Sequence, residues 1–88
     1  MLLEKVKERC GIAQSITVYD EEIEDYINDC MKDMAGSGVP ESVIKDNDSI
    51  LTAVTLYVKA YLGNDRSDTD KYLELYRNKV FRMTLDGE

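Results

Sequence analysis

The side chains able to do chemistry in this sequence are carboxylates, tyrosines and two thiols; among its 88 residues there is no histidine. That removes the commonest general base and the commonest transition-metal ligand together. Cys10 and Cys30 stand twenty residues apart with no CxxC pair, so a zinc site would need carboxylates to complete it. With no secretory signal they read as reduced, half-buried thiols, a disulfide between them being the alternative. The segment DRSDTDKYLELY, Asp65 to Tyr76, has the aspartate density of a calcium loop. It lacks the central glycine, and Tyr76 occupies the twelfth position, where the bidentate Glu belongs. Helix capping accounts for those aspartates. No P-loop, GxGxxG fingerprint or GxSxG nucleophile elbow is present.

Two constellations remain. Glu21 with Asp25, and Asp25 with Asp29, are carboxylate pairs at helical spacing that would bind a divalent ion only with help from another helix; alone they read as a solvated face. Four tyrosines, Tyr57, Tyr61, Tyr72 and Tyr76, stand at helical spacing on either side of a polar break. The reading adopted is two helices folded together, rings in the core and hydroxyls at its edge. The alternative is a tyrosine surface that crosses into a neighbouring subunit. No catalytic residues, metal ligands or cofactor are expected from these residues, and an enzyme built on Asp25 or Glu22 is the weakest reading.

The elements that carry these residues follow from apolar periodicity. Leu2, Leu3, Val6 and Cys10 share one stripe of a first helix, and Gly11 fits its C-terminus. The segment AQSITVYD reads as a connector. Asp20 is the expected N-cap of a second helix, with acidic residues in its first turn where the helix dipole favours them. Ile23, Tyr26, Ile27, Cys30, Met31 and Met34 form one face of that helix. Its other face carries Glu21, Glu22, Glu24, Asp25, Asp29 and Asp33 against Lys32.

The stretch AGSGVPESVIKDND reads as a flexible loop, with Val39 and Val43 anchoring a short turn. Asp46 or Asp48 then caps a third helix, whose wide stripe of Ile50, Leu51, Val54, Tyr57, Val58, Tyr61 and Leu62 suits a central position. Gly63 and Asn64 supply its expected left-handed stop, and Ser67 with Asp70 resembles a capping box that starts a fourth helix. Tyr72, Leu73, Tyr76, Val80 and Met83 share one face of the fourth helix, with Lys71, Arg77, Lys79 and Arg82 off it. The expected fold is all-α: one domain over residues 1–88, a small bundle of about four helices with a Gly/Pro-containing loop between helices 2 and 3.

Composition bounds the partners. A hydrophobic fraction of 43% suits a globular chain, and 33% charged residues exceed the usual roughly 25%. Eleven Lys and Arg against eighteen Asp and Glu give a net charge of −7, which opposes approach to a phosphate backbone. No run of about 18 apolar residues exists and the start MLLEKVKERC is too charged for a signal peptide, so no membrane association and a cytosolic protein are expected.

The run AVTLYVKAYLGND followed by YLELYRNKVFRMTL, preceded by a short helix, the acid-capped DEEIEDYINDC and a Gly/Pro loop, resembles the head-tail connector proteins, or DNA-packaging adaptors, of tailed phages and prophages. The resemblance spans nearly the whole chain. It implies a non-catalytic virion subunit that forms a ring of about twelvefold symmetry beneath the portal protein. Such a ring extends the DNA channel and gives neck and tail completion proteins a platform, with assembly in the host cytoplasm. DNA would pass without sequence-specific binding, since an acidic lining denies it the counterion-release gain of a basic groove.

The acidic second helix, through Glu22, Asp25 and Asp29, and the basic fourth, through Arg77, Lys79 and Arg82, would meet head to tail between neighbours, or equally inside one subunit. Because the chain stops at TLDGE, soon after the fourth helix, portal docking is expected around Val80 to Leu85. The competing reading is a small acidic helical regulator, inhibitor or antitoxin-like, that binds another protein through Met31, Met34 and the tyrosines.

Overall fold

The structure is a computed structural model that describes residues 2–62 and 69–86. Five helices run in the order α1 (Leu2–Arg9), α2 (Asp20–Gly36), α3 (Glu41–Ile44), α4 (Asn47–Leu62) and α5 (Thr69–Asp86), with no strand among the described residues. The expected all-α bundle is therefore observed: α4 and α5 are the third and fourth helices read from periodicity. The extra element, α3, is a single turn inside the loop. Pro40 enters it in an extended conformation, φ −59° and ψ 144°, and accepts the amide bonds of Val43 and Ile44. Val39 is buried and Val43 half-buried, so the turn is anchored where the sequence put its anchors.

Helix α4 is the centre of the bundle and packs against α1, α2, α3 and α5. Ile50, Leu51, Ala53, Val54, Val58 and Ala60 are all buried, a wider band than one amphipathic stripe provides. From α2 the core takes Ile23, Ile27, Cys30 and Met34; from α1, Leu2 and Val6; from α5, Tyr76, Val80 and Met83. Tyr26 and Met31, expected on the apolar face of α2, sit half-buried at its margin.

The helix ends show how local chemistry fixes this arrangement. Asp46 caps α4: its carboxylate accepts the Asp48 amide at 3.2 Å and the Ser49 hydroxyl at 2.8 Å. Helix α1 closes on Gly11, at φ +74°, with the Ile12 amide donating to the Lys7 carbonyl at 2.9 Å and the Gly11 amide to Glu8 at 3.2 Å. Helix α2 closes in the same way on Gly38, at φ +99°, with Val39 donating to Met34 at 3.0 Å and Gly38 to Ala35 at 3.2 Å. Both are Schellman closures, in which a residue without Cβ turns the chain back so that the next apolar side chain packs onto the helix. The stop expected at Gly63 and Asn64 and the Ser67 cap lie outside the described residues. Thr69 begins α5 and donates its hydroxyl to the Ala60 carbonyl in the last turn of α4 at 3.1 Å, tying the start of α5 to the end of α4.

One expectation is corrected. Asp20 is the first residue inside α2 and not its N-cap; Tyr19 holds the cap position and makes no side-chain cap bond. The Asp20 carboxylate instead meets the Lys7 ammonium at 2.7 Å. An ion pair with a buried ammonium outcompetes a bond to the helix's own amides, because that ammonium has little water to turn to.

Candidate functional site

The residues that sequence reasoning placed on an interface fall into two separate surface sets. Glu22, Asp25 and Asp29 are exposed along α2, with Glu21 and Glu24 beside them. On α5, Arg77 and Arg82 are exposed, Lys79 is half-buried and Leu85 is 56% exposed. Val80 lies in the core, where its side chain forms the floor of a cleft and does not stand at the surface. The ion pairs among the described residues are Lys5 with Asp48, Lys7 with Asp20 and Lys45 with Glu41. None joins the acids of α2 to the bases of α5. Among the described residues the two charged faces are thus not paired with each other.

Tyrosines occupy the seam between α2, α4 and α5. Tyr26 stacks on Tyr61 at 5.8 Å between ring centroids, Tyr61 tilts against Tyr57 at 4.8 Å, and Tyr57 meets Tyr76 edge-on at 5.2 Å. Lys59 lies 6.0 Å from the centre of the Tyr72 ring. This is the core-with-polar-edge arrangement expected from their amphipathic side chains. Only Tyr61 in the row of four is largely exposed.

Two hydroxyls of this seam, those of Tyr26 and Tyr76, are hydrogen-bonded to α2 carboxylates. The Tyr76 hydroxyl donates to Asp33 at 2.7 Å and accepts the Cys30 thiol at 3.6 Å, linking α5 to α2. Burial first, then the bond to Asp33, pushes the Tyr76 hydroxyl far above the usual phenol range. Burial also pushes the Cys30 thiol up to about 12, against the opposing effect of its bond to Tyr76. Tyr57 rises to about 12, through burial and then through neighbouring Tyr61 and the α2 carboxylates Asp29 and Asp33. Tyr26 is raised first by its hydroxyl bond to Glu22, at 2.9 Å. Cys10 is raised by burial, partly offset by Lys59. These groups are stabilised in the protonated form, the reverse of what a nucleophile or general base requires. Both thiols are free. Among the described residues no group of three or more Cys, Asp and Glu side chains is placed to hold a metal ion.

Two shapes stand out on the surface. Between the C-terminal parts of α2 and α5 lies an open cleft of about 220 Å³, lined by Asp33, Ser37, Tyr76, Arg77, Val80, Phe81 and Thr84. Phe81 on its edge is 64% exposed. At the opposite end of α2, the connector from α1 displays Ile16, Val18 and Tyr19 to solvent, Val18 at 77% exposure.

That connector is held from beneath by Lys7, which sequence reasoning did not single out. Its side chain is 2% exposed, and its ammonium donates to the Gln14 carbonyl at 3.2 Å and the Ile16 carbonyl at 2.7 Å besides pairing with Asp20. The Gln14 amide donates in turn to the Glu4 carbonyl at 2.9 Å. A signal for Lys7 exists in the sequence: it falls four residues after Leu3 and three before Cys10, within the apolar stripe.

No helix among the described residues is long and apolar enough to cross a membrane. A family model described as phage connector protein matches residues 2–88. No curated protein and no solved structure shows a match to the chain.

Proposed function

The chain belongs to the phage connector protein family, and from that premise we propose that it is a ring-forming subunit of the head-tail connector, seated beneath the portal protein in the virion neck. The match over residues 2–88 carries this reading. The family is structural, and the upward shift of Cys10, Tyr26, Cys30, Tyr57 and Tyr76 supports a role without catalysis. Residues 1–88 act as one connector domain that assembles in the host cytoplasm, docks on portal and offers neck and tail completion proteins a platform.

The charge distribution supports a mechanism for each step. A ring arises when two different surfaces of one subunit meet head to tail and the rotation closes. The exposed acids of α2, Glu22, Asp25 and Asp29, and the bases of α5, Arg77, Lys79 and Arg82, supply such a pair of surfaces. Surface ion pairs are individually weak, so their role is to set register and attract neighbours, with apolar contacts holding the ring. Leu85 and the end of α5 form the portal-facing contact. The net charge of −7 favours a channel through which DNA slides, because phosphates gain nothing by displacing counterions from an acidic wall.

Electron microscopy and light scattering of the protein mixed with its portal test this directly. Rings stacked on portal are the expected result, weakening as salt rises from about 0.1 to 1 M and the screening length falls from about 10 to 3 Å. No association with portal across that range and up to millimolar protein overturns the proposal.

A further inference from the structure

The connector before α2 and the cleft at the end of α2 have the properties of two halves of one contact. Ile16, Val18 and Tyr19 form an apolar projection on a backbone already fixed by the Lys7 ammonium, so docking it orders no loop. The cleft holds about 220 Å³ over an apolar floor of Val80, with Phe81 on its edge. Small-molecule sites usually start at about 300 Å³. The cleft instead has the size of one or two aliphatic side chains.

The charges around the two halves are opposite. Glu21 and Glu22 are exposed immediately after the projection. Arg77 lines the cleft and exposed Arg82 follows Phe81. Asp33 also lines the cleft and keeps its charge while accepting the Tyr76 hydroxyl at 2.7 Å, as Glu22 does while accepting the Tyr26 hydroxyl at 2.9 Å, so the attraction runs from Glu21 and Glu22 to Arg77 and Arg82 on the cleft's α5 side. The two halves cannot meet within one molecule. Asp33 lies fourteen positions after Tyr19 along α2, which at the helical rise of about 1.5 Å per residue puts them about 20 Å apart. Each half therefore needs a second molecule, and each is present on every copy.

We propose that the Ile16–Val18–Tyr19 projection of one copy seats in the α2/α5 cleft of the next, with Glu21 and Glu22 against Arg77 and Arg82. This inference rests on the ring-subunit reading and gives it a specific joint. The contact is heterologous, so it propagates from copy to copy until the ring closes.

Disulfide trapping tests it in full-length protein carrying Cys10→Ser; Cys30 stays in place, buried beyond reach of reagents. One preparation carries Val18→Cys and another Phe81→Cys, both at exposed positions where folding tolerates the change. With diamide as oxidant, the mixture is expected to form the 18–81 disulfide about tenfold faster than either preparation alone forms its homodimer, as a raised effective concentration at the joint requires. Glu21→Lys in the first preparation should slow the mixed product, and Arg77→Glu in the second should restore it. A mixed product that forms no faster than the homodimers overturns the joint, as does trapping of Val18→Cys on portal in preference to the Phe81→Cys chain. If rings still form on portal in either case, the joint fails and the ring-subunit reading stands; absence of rings fails the reading itself.

Discussion

Replacing Lys7 by Met removes the ammonium from beneath the connector while keeping most of the side-chain volume, and it should be among the most damaging single changes in the molecule. Three acceptors lose their donor: the Ile16 carbonyl at 2.7 Å, the Gln14 carbonyl at 3.2 Å and the Asp20 carboxylate at 2.7 Å. Breaking a fully buried ion pair by removing one partner costs about 3–5 kcal/mol. Asp20 keeps 29% of its side-chain surface in water and the bonds to the connector carbonyls are only partly buried, so solvent recovers part of that loss. The expected cost is about 2–3 kcal/mol, against a total stability of about 4–13 kcal/mol for a chain of this length. In a thermal scan that corresponds to a fall on the order of 10–20 °C. Urea titrations of the wild type, Lys7→Met, Asp20→Asn and the double variant would measure it. The double variant should be less destabilised than the sum of the singles by about 1 kcal/mol or more, because the orphaned carboxylate is then gone. Amide exchange should quicken in residues 12–19 of Lys7→Met beyond what global unfolding explains. A Lys7→Met protein within about 0.5 kcal/mol of wild type would refute the reasoning, since it would mean that the ammonium does nothing for the connector.

Other outcomes follow from the closures and the tyrosine seam. Gly38→Ala should lose about 1–2 kcal/mol by urea titration, since a Cβ at φ +99° is strained even though the nearest foreign atom, Thr84 Cγ2, is 3.9 Å away. Tyr76→Phe should cost about 1–2 kcal/mol by leaving the Cys30 thiol and Asp33 without their shared partner, with no change in helical content by circular dichroism. Stability should be intact below pH 9 and fall as pH rises towards 12. Cys30, at 9.0 when unfolded and about 12 when folded, and Tyr57, at 10.0 and about 12, both bind protons more tightly in the folded state. Urea midpoints at pH 7 and pH 10.5 would check this, and Cys30→Ala should flatten the decline. A thiol reagent should label Cys10, which is half-buried, well before Cys30, whose labelling should follow the unfolding rate.

Much of this fold is legible in the sequence because single helices obey local rules. The α2 face of Ile23, Ile27, Cys30 and Met34, the wide band of α4, the Asp46 cap and the Gly11 closure each depend on residues within a few positions of one another. What depends on distant partners is harder to read. Asp20 has the right identity for an N-cap, but its carboxylate is claimed by an ammonium thirteen residues away. Lys7 looks like a surface residue by type, and only its place within the apolar stripe signals otherwise. Of the glycines in AGSGVP, Gly38 and not Gly36 takes the positive φ, because the chain must reverse where Val39 can fold back onto Met34. The turn α3 is four residues long, too short for any periodicity to register.

The candidate surfaces divide along the same line. That Glu22, Asp25, Arg77 and Arg82 face solvent follows from their offsets to the apolar stripes. That Val80 is core while Phe81 beside it is exposed also follows from helical phase, since Tyr76, Val80 and Met83 share the inward face. The cleft and the pinned projection do not follow from phase, because each is made by two elements whose distance no local pattern encodes.

The central position of α4 also governs how the protein comes into being. Every other helix packs on it, and it is the fourth of five to be translated. A ribosome that has released only α1, α2 and α3 has released segments that touch one another, α1 on α2 and α2 on α3, but lack the helix on which all of them pack. Those segments must wait, apolar faces open to chaperones and to one another, until residue 62 clears the exit tunnel. Folding is then poised to complete in one step, and a newly made subunit gains the surfaces that rest on α4 only once that helix has been released.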